Sequence, residues 1–135
     1  MIAKEYITWD EAKNILHCTD SKLRMFIAND RITDVRDGSG EIAKHPSYVC
    51  SINKQQVYDF LKECGVDLAE DDVLWDADDI AWAFSIEVYY EVRNRSYKGD
   101  LQCLKYITQY NKNKFLHKRS DVCRVAEEMG ISRKN

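Results

Sequence analysis

What this sequence lacks narrows its function first. Its longest apolar run, IAWAF at Ile80–Phe84, falls far short of the roughly 20 residues a membrane-spanning helix needs, so no membrane association is expected. The opening MIAKEYITWDEA has no apolar stretch leading to a small-residue cleavage site, and secretion is not expected either. The five cysteines, Cys18, Cys50, Cys64, Cys103 and Cys123, are odd in number and form no C-x-x-C pair. That pattern argues against a disulfide framework and for a reducing, cytoplasmic setting in which they act as small core hydrophobes. The GSG at Gly38–Gly40 lies outside any strand-to-helix turn, so the chain has no glycine-rich phosphate loop. His17, His45 and His117 have no acid or nucleophile at a recognisable spacing, and no paired spacing for zinc. No catalytic residue, cofactor or metal site is therefore expected, and the protein is read as a non-enzyme. Internal repeats and low-complexity tracts are also missing.

What is present is an ordinary globular composition, with 44% hydrophobic and 32% charged residues over 135 positions. That length suits one domain or two small ones. Net charge is only −3, but its distribution is uneven. Residues 1–63 hold 9 Lys+Arg and 10 Asp+Glu, residues 64–91 hold 9 acidic side chains and no basic one, and residues 92–135 hold 11 basic against 4 acidic. Faces of opposite sign are expected, for a partner or for one another.

Local patterns predict the elements. Tyr6-Ile7 is a short β-type run, and Thr8 with Glu11 forms a capping box that opens a helix with Ala12, Ile15 and Leu16 inward. His17-Cys18 is a turn. Thr19 caps a second helix carrying Leu23, Phe26 and Ile27, which Asn29 and Asp30 end. Ile32–Arg36 and Tyr48–Ile52 read as the strands of a long hairpin with DGSG near its tip. Asn53, with Gln56 at the capping-box position, starts a third helix with Val57, Phe60 and Leu61 inward, stopped at Gly65. This is the element order of a winged helix-turn-helix.

Beyond Val66, an acidic lead-in is followed by a predicted helix from about Asp76 to Arg95. A turn at Tyr97–Asp100 precedes another helix through Leu101, Leu104, Ile107 and Tyr110. Ser120 is expected to cap a last helix through Val122, Val125, Ala126 and Met129, closed by Gly130. The expected fold is therefore mainly α with a small β-hairpin wing: a winged helix-turn-helix over residues 1–65, then a helical bundle over 66–135.

Residues 6–61 resemble the excisionase-like family of small winged-helix DNA-binding proteins of phages and integrative elements. ITWDEAKNILHCTDSKLRMFI is similar to that family's opening, with Ala12, Ile15, Leu16, Thr19, Leu23 and Ile27 at its signature positions. SINKQQVYDFL is similar to its closing helix. The chain departs from the family at His17, where glycine is usual, and at Met25, where arginine is frequent. The resemblance implies a mobile-element or phage regulator in a bacterial or phage-infected cell, working beside a recombinase or repressor. A small terminase subunit has the same layout.

If the second helix enters the major groove, Ser21, Lys22, Arg24, Met25 and Asn29 meet bases or phosphates, and Thr19 orients a phosphate at the helix N-terminus. In the hairpin, Arg36, Lys44 and His45 would lie near the minor groove or backbone. A second basic surface is expected in KYITQYNKNKFLHKR, from Lys105, Lys112, Lys114, Lys118 and Arg119 interleaved with Tyr106, Tyr110 and Phe115. The plainer expectation for that segment is a helix with core aromatics, whose lysines are solvated or paired with the acidic 67–79 run. Two further uses are open: an acidic helix imitating DNA phosphates, and self-association through exposed members of Trp75, Trp82, Phe84 and Tyr89. The rival to DNA binding is a protein-binding inhibitor or anti-repressor that docks partners on the winged helix and the acidic segment.

Overall fold

The structure is a computed structural model, which describes residues 5–107 and 112–135. The chain divides into two compact units, Met1–Cys64 and Gly65–Asn135. Among the described residues there are six α-helices and two three-stranded antiparallel sheets, about 47% helix and 16% strand. This corrects the mainly α expectation: each unit is a mixed α/β assembly with its own sheet, and the second is not a helical bundle.

The first unit runs β1 (Tyr6–Thr8), α1 (Trp9–Leu16), α2 (Asp20–Ala28), β2 (Val35–Arg36), β3 (Ser51–Asn53) and α3 (Lys54–Glu63). Its sheet has the order β1-β3-β2, with Ile7 and Val35 both opposite Ile52 in the register. Local side chains start its helices. Thr8 and Glu11 satisfy each other's backbone amides, Thr19 accepts from the Lys22 amide, and Asn53 accepts from the Gln56 amide. Gln56 does not complete a capping box; its Oε1 instead accepts from the Thr33 and Asp34 amides at 2.9 and 2.8 Å, tying α3 to the approach of β2. Leu16, Leu23, Ile32, Ile52, Val57 and Leu61 are fully buried between helices and sheet, and the Phe26 and Phe60 rings meet at 4.6 Å between centroids.

The expected long hairpin is much reduced. β2 is two residues long, Arg36 also bridges Ile42, and Pro46–Tyr48 forms a 3₁₀ turn packed against α2. Pro46 explains the turn, because its fixed φ suits the first helical position and it has no N–H for a ladder.

His17 sits in the left-handed region at φ 51, between α1 and α2. A side chain there costs about 1–2 kcal/mol that glycine does not incur, partly offset by glycine's greater unfolded entropy. His17→Gly is thus expected to stabilise the first unit by about 0.5–1 kcal/mol in urea unfolding. A loss of stability would show that the imidazole's contacts outweigh the backbone strain.

The second unit contains β4 (Leu74–Trp75), α4 (Ala77–Ala83), α5 (Ile86–Tyr97), β5 (Leu104–Ile107), β6 (Asn113–Lys118) and α6 (Arg119–Glu128), with sheet order β4-β6-β5. Where a helix is expected through Leu101, Leu104 and Ile107, residues Leu104–Ile107 form a strand and Leu101 lies before it. Leu104 and Tyr106 are buried while Lys105 between them is exposed, a period of two. Leu104 pairs with Leu116 and Lys105 with Phe115 across the ladder. Tyr110 lies outside the described residues.

The single helix expected over 76–95 is two. Phe84 ends α4 and the Ser85 hydroxyl caps α5 by accepting from the Val88 amide. Ile80, Ala83, Phe84, Val88 and Val92 keep helical spacing across that break because both helices face one core, completed by Val122, Val125 and Ala126 of α6. Ser120 does not cap α6, whose N-cap is Lys118. Instead the Asp72 carboxylate accepts from the Ser120 amide at 3.1 Å and its hydroxyl at 2.5 Å, a remote anion at the positive end of the helix.

Candidate nucleic-acid interface

Burying Leu23, Phe26 and Ile27 on one side of α2 turns Ser21, Arg24, Met25, Ala28 and Asn29 to the solvent on the other. Each expected contact residue has a definite place. Thr19 is engaged as the N-cap, its Oγ1 accepting from the Lys22 amide at 3.2 Å. Lys22 is half-buried, its Nζ 5.8 Å from the Phe26 ring centroid. The Arg24 guanidinium lies 5.9 Å from the Trp9 ring centroid. Met25 is exposed, and Asn29 is the C-cap, its amide donating to the Met25 carbonyl.

Asp20 and its two partners on α1, Trp9 and Lys13, which the sequence patterns did not single out, complete this surface. Asp20, at the start of α2, would repel phosphate. Its Oδ1 accepts from the Trp9 indole N–H at 2.9 Å and from Lys13 Nζ at 3.0 Å. The Trp9 bond first, and the Lys13 bond next, hold the Asp20 carboxyl below its ordinary pKa. The negative charge at the mouth of the helix is thereby partly offset from α1, whose Lys13 also lies 3.7 Å from Asp10. Trp9 and Lys13 are one helical turn apart on α1, a local signal, but their meeting with Asp20 depends on how the two helices pack.

Next to α2, the 42–48 segment leaves Ile42, Lys44, His45 and Tyr48 exposed. The His45 and Tyr48 rings stand 5.8 Å apart, and His45 Nδ1 accepts from the Ser47 amide at 3.1 Å. Tyr48, read from sequence as the start of a strand, is 63% exposed on the 3₁₀ turn, so it is an available stacking or phosphate-binding group.

Arg36 is placed differently from Lys44 and His45. Its Nε donates to Asp34 Oδ1 at 2.7 Å and its guanidinium reaches the Gly40 carbonyl at 3.3 Å. Asp34 also accepts from the Tyr6 hydroxyl at 2.7 Å and Asn53 Nδ2 at 3.0 Å. Burial pulls the Asp34 carboxyl upward, but the bonds from Tyr6, Arg36 and Asn53 together hold it below the ordinary range. Asp34 thus ties the approach of β2 to β1 and β3, and Arg36 is held on it.

The second basic surface is largely turned inward to its own unit. Lys114 lies 3.7 Å from Asp76, Lys118 lies 4.0 Å from Asp121 and reaches the Asp67 carbonyl, and Arg119 donates to the Asp71 carbonyl at 2.9 Å. Lys105 and Lys112 are exposed. Tyr106 is buried, and the Arg93 guanidinium covers Phe115 at 3.7 Å from its centroid, so neither ring offers an open stacking platform. In the acidic run Asp72 holds the start of α6 and Asp76 caps α4, while Asp67, Asp71, Asp78 and Glu87 stand exposed. No helix among the described residues is long and apolar enough to cross a membrane. Compared with family models, with curated proteins and with solved structures, the chain gives no match.

Proposed function

We propose that the chain is a non-enzymatic, excisionase-like DNA-binding regulator acting in the cytoplasm of a bacterial or phage-infected cell. It meets duplex DNA through the outer face of α2 and the adjoining 42–48 segment. The observation that carries this reading is the engagement of Asp20 by Trp9 and Lys13 beneath an exposed row of Ser21, Arg24, Met25 and Asn29. A short helix with hydrogen-bonding groups outward and its N-terminal anion engaged by Trp9 and Lys13 suits a major groove. Lys44, His45 and Tyr48 add backbone contacts beside it.

Fluorescence anisotropy with a random-sequence duplex tests the surface. Lys22→Glu with Arg24→Glu is expected to weaken binding about 10- to 100-fold, because two phosphate contacts become repulsions. Lys105→Glu with Lys112→Glu makes the same change in net charge and is expected to leave affinity within about threefold. Equal losses from both pairs would show that only total charge matters and would remove α2 as the binding face.

A further inference from the structure

The side of α5 opposite its core is unusually apolar for a solvent-facing helix. Val88 and Val92 are fully buried, whereas Ile86, Tyr90 and Tyr97 on the other side are 47%, 64% and 88% exposed. Their spacings of four and seven residues put them in one row along the helix. Trp82, in the last turn of α4, is 63% exposed and four residues before Ile86. Among the exposed large hydrophobics, Trp82, Tyr90 and Tyr97 are the most exposed aromatics apart from Tyr48. Apolar groups concentrated in this way mark contact surfaces.

The charges along α5 say what covers the row. Within the chain Arg95 pairs with Glu91 and Glu128, and Arg93 covers Phe115, so the charges the helix turns to a partner are Glu87 in its first turn and Lys98 just past its end. Glu87 and Lys98, at the two ends, are both exposed. Such a helix complements itself when two copies run antiparallel. Each acidic end then faces a basic end, and the helix dipoles oppose favourably. A parallel pairing would set like charges together. At roughly 150–250 Å² per aromatic side chain, the exposed parts of Ile86, Tyr90 and Tyr97 on two copies amount to on the order of 800 Å², the size of a weak, concentration-dependent contact.

We infer that the protein is a two-fold dimer in which the Ile86–Tyr90–Tyr97 row of α5 packs antiparallel on the same row of a second copy. The contact is isologous, with Tyr90 near its centre and Glu87 of each copy beside Lys98 of the other. It stands independently of the DNA-binding reading, and the two fail in separate experiments.

Sedimentation equilibrium of the full chain over a concentration series is the test. The wild type is expected to show a monomer–dimer equilibrium. Tyr90→Glu should raise its dissociation constant at least about tenfold, with an unchanged far-ultraviolet circular dichroism spectrum. Glu87→Lys should also weaken the dimer, and Glu87→Lys combined with Lys98→Glu should restore it. A monomer at every concentration, or a dimer indifferent to Tyr90→Glu, overturns the inference. Weakening by Tyr90→Glu without rescue by the charge exchange overturns the antiparallel arrangement.

Discussion

Acidification from pH 6.5 to 4 should remove about 3 kcal/mol of stability from the second unit, and His117→Gln should abolish most of that loss. The His117 ring, on β6, is 1% exposed. Its Nδ1 lies 3.3 Å from the Ser96 hydroxyl, the Tyr89 ring meets it edge-on at 6.4 Å, and Nε2 is buried with no hydrogen-bond partner among the described residues. Burial first, and the positive Arg93 next, push its pKa down to about 4.

The sign follows from which state takes up the proton. The unfolded chain protonates His117 below about pH 6.5, while the folded unit resists protonation until about pH 4. Stability is therefore whole above pH 6.5 and declines by about 1.4 kcal/mol per unit as pH falls between those values. Asp20, Asp34 and Asp37, whose carboxyls are held below the ordinary range, contribute stability that is lost lower still, as pH falls through their folded values. Urea unfolding at a series of pH values checks this. His117→Phe provides a second variant that does not titrate, and the Ser96 hydroxyl would retain its bond to the Val92 carbonyl. A wild-type acid decline that persists in both variants would show that another group carries it.

Local signals explain which parts of the fold could be read in advance. Thr8 with Glu11, Thr19 with Lys22, and Asn53 with Gln56 act over three residues, so the starts of α1, α2 and α3 are legible in the sequence. The strand at Leu104–Ile107 is not, because Leu101, Leu104 and Ile107 recur at a spacing of three that reads as a helical stripe, and the strand's own alternation, Leu104 and Tyr106 inward, is too short to outweigh it. Pairing of Leu104 with Leu116, across a connection, decides between them. Ser85 was concealed by the regular apolar spacing on either side of it, which one shared core preserves through the break.

The candidate site divides in the same way. The outward direction of Ser21, Arg24, Met25 and Asn29 follows from helical periodicity once Leu23, Phe26 and Ile27 are inward. The engagement of Asp34 by Tyr6 and Asn53, and of Asp20 by Trp9 and Lys13, depends on side-chain placement across elements. These contacts sort the cations of the first unit. Arg36 is held by Asp34, whereas Arg24 and Lys44 are exposed and Lys22 is half-buried near the Phe26 ring.

That sorting sets the strength of any DNA contact. With Lys22, Arg24 and Lys44 reaching about three phosphates per copy, the logarithm of affinity should fall with the logarithm of salt at a slope of about −3. From 50 to 200 mM salt this amounts to a loss on the order of 40-fold, and two copies bound together would about double the slope. Glu41 and the partly buried Asp37, beside Lys44 in the 37–45 loop, act against a larger value. The most direct measurement is equilibrium binding of the full chain to a random-sequence duplex across a salt series. A steep loss with slope near −3 per copy is the predicted result. No binding at the lowest salt, or binding indifferent to salt, would contradict the assignment of α2 as a DNA-binding face.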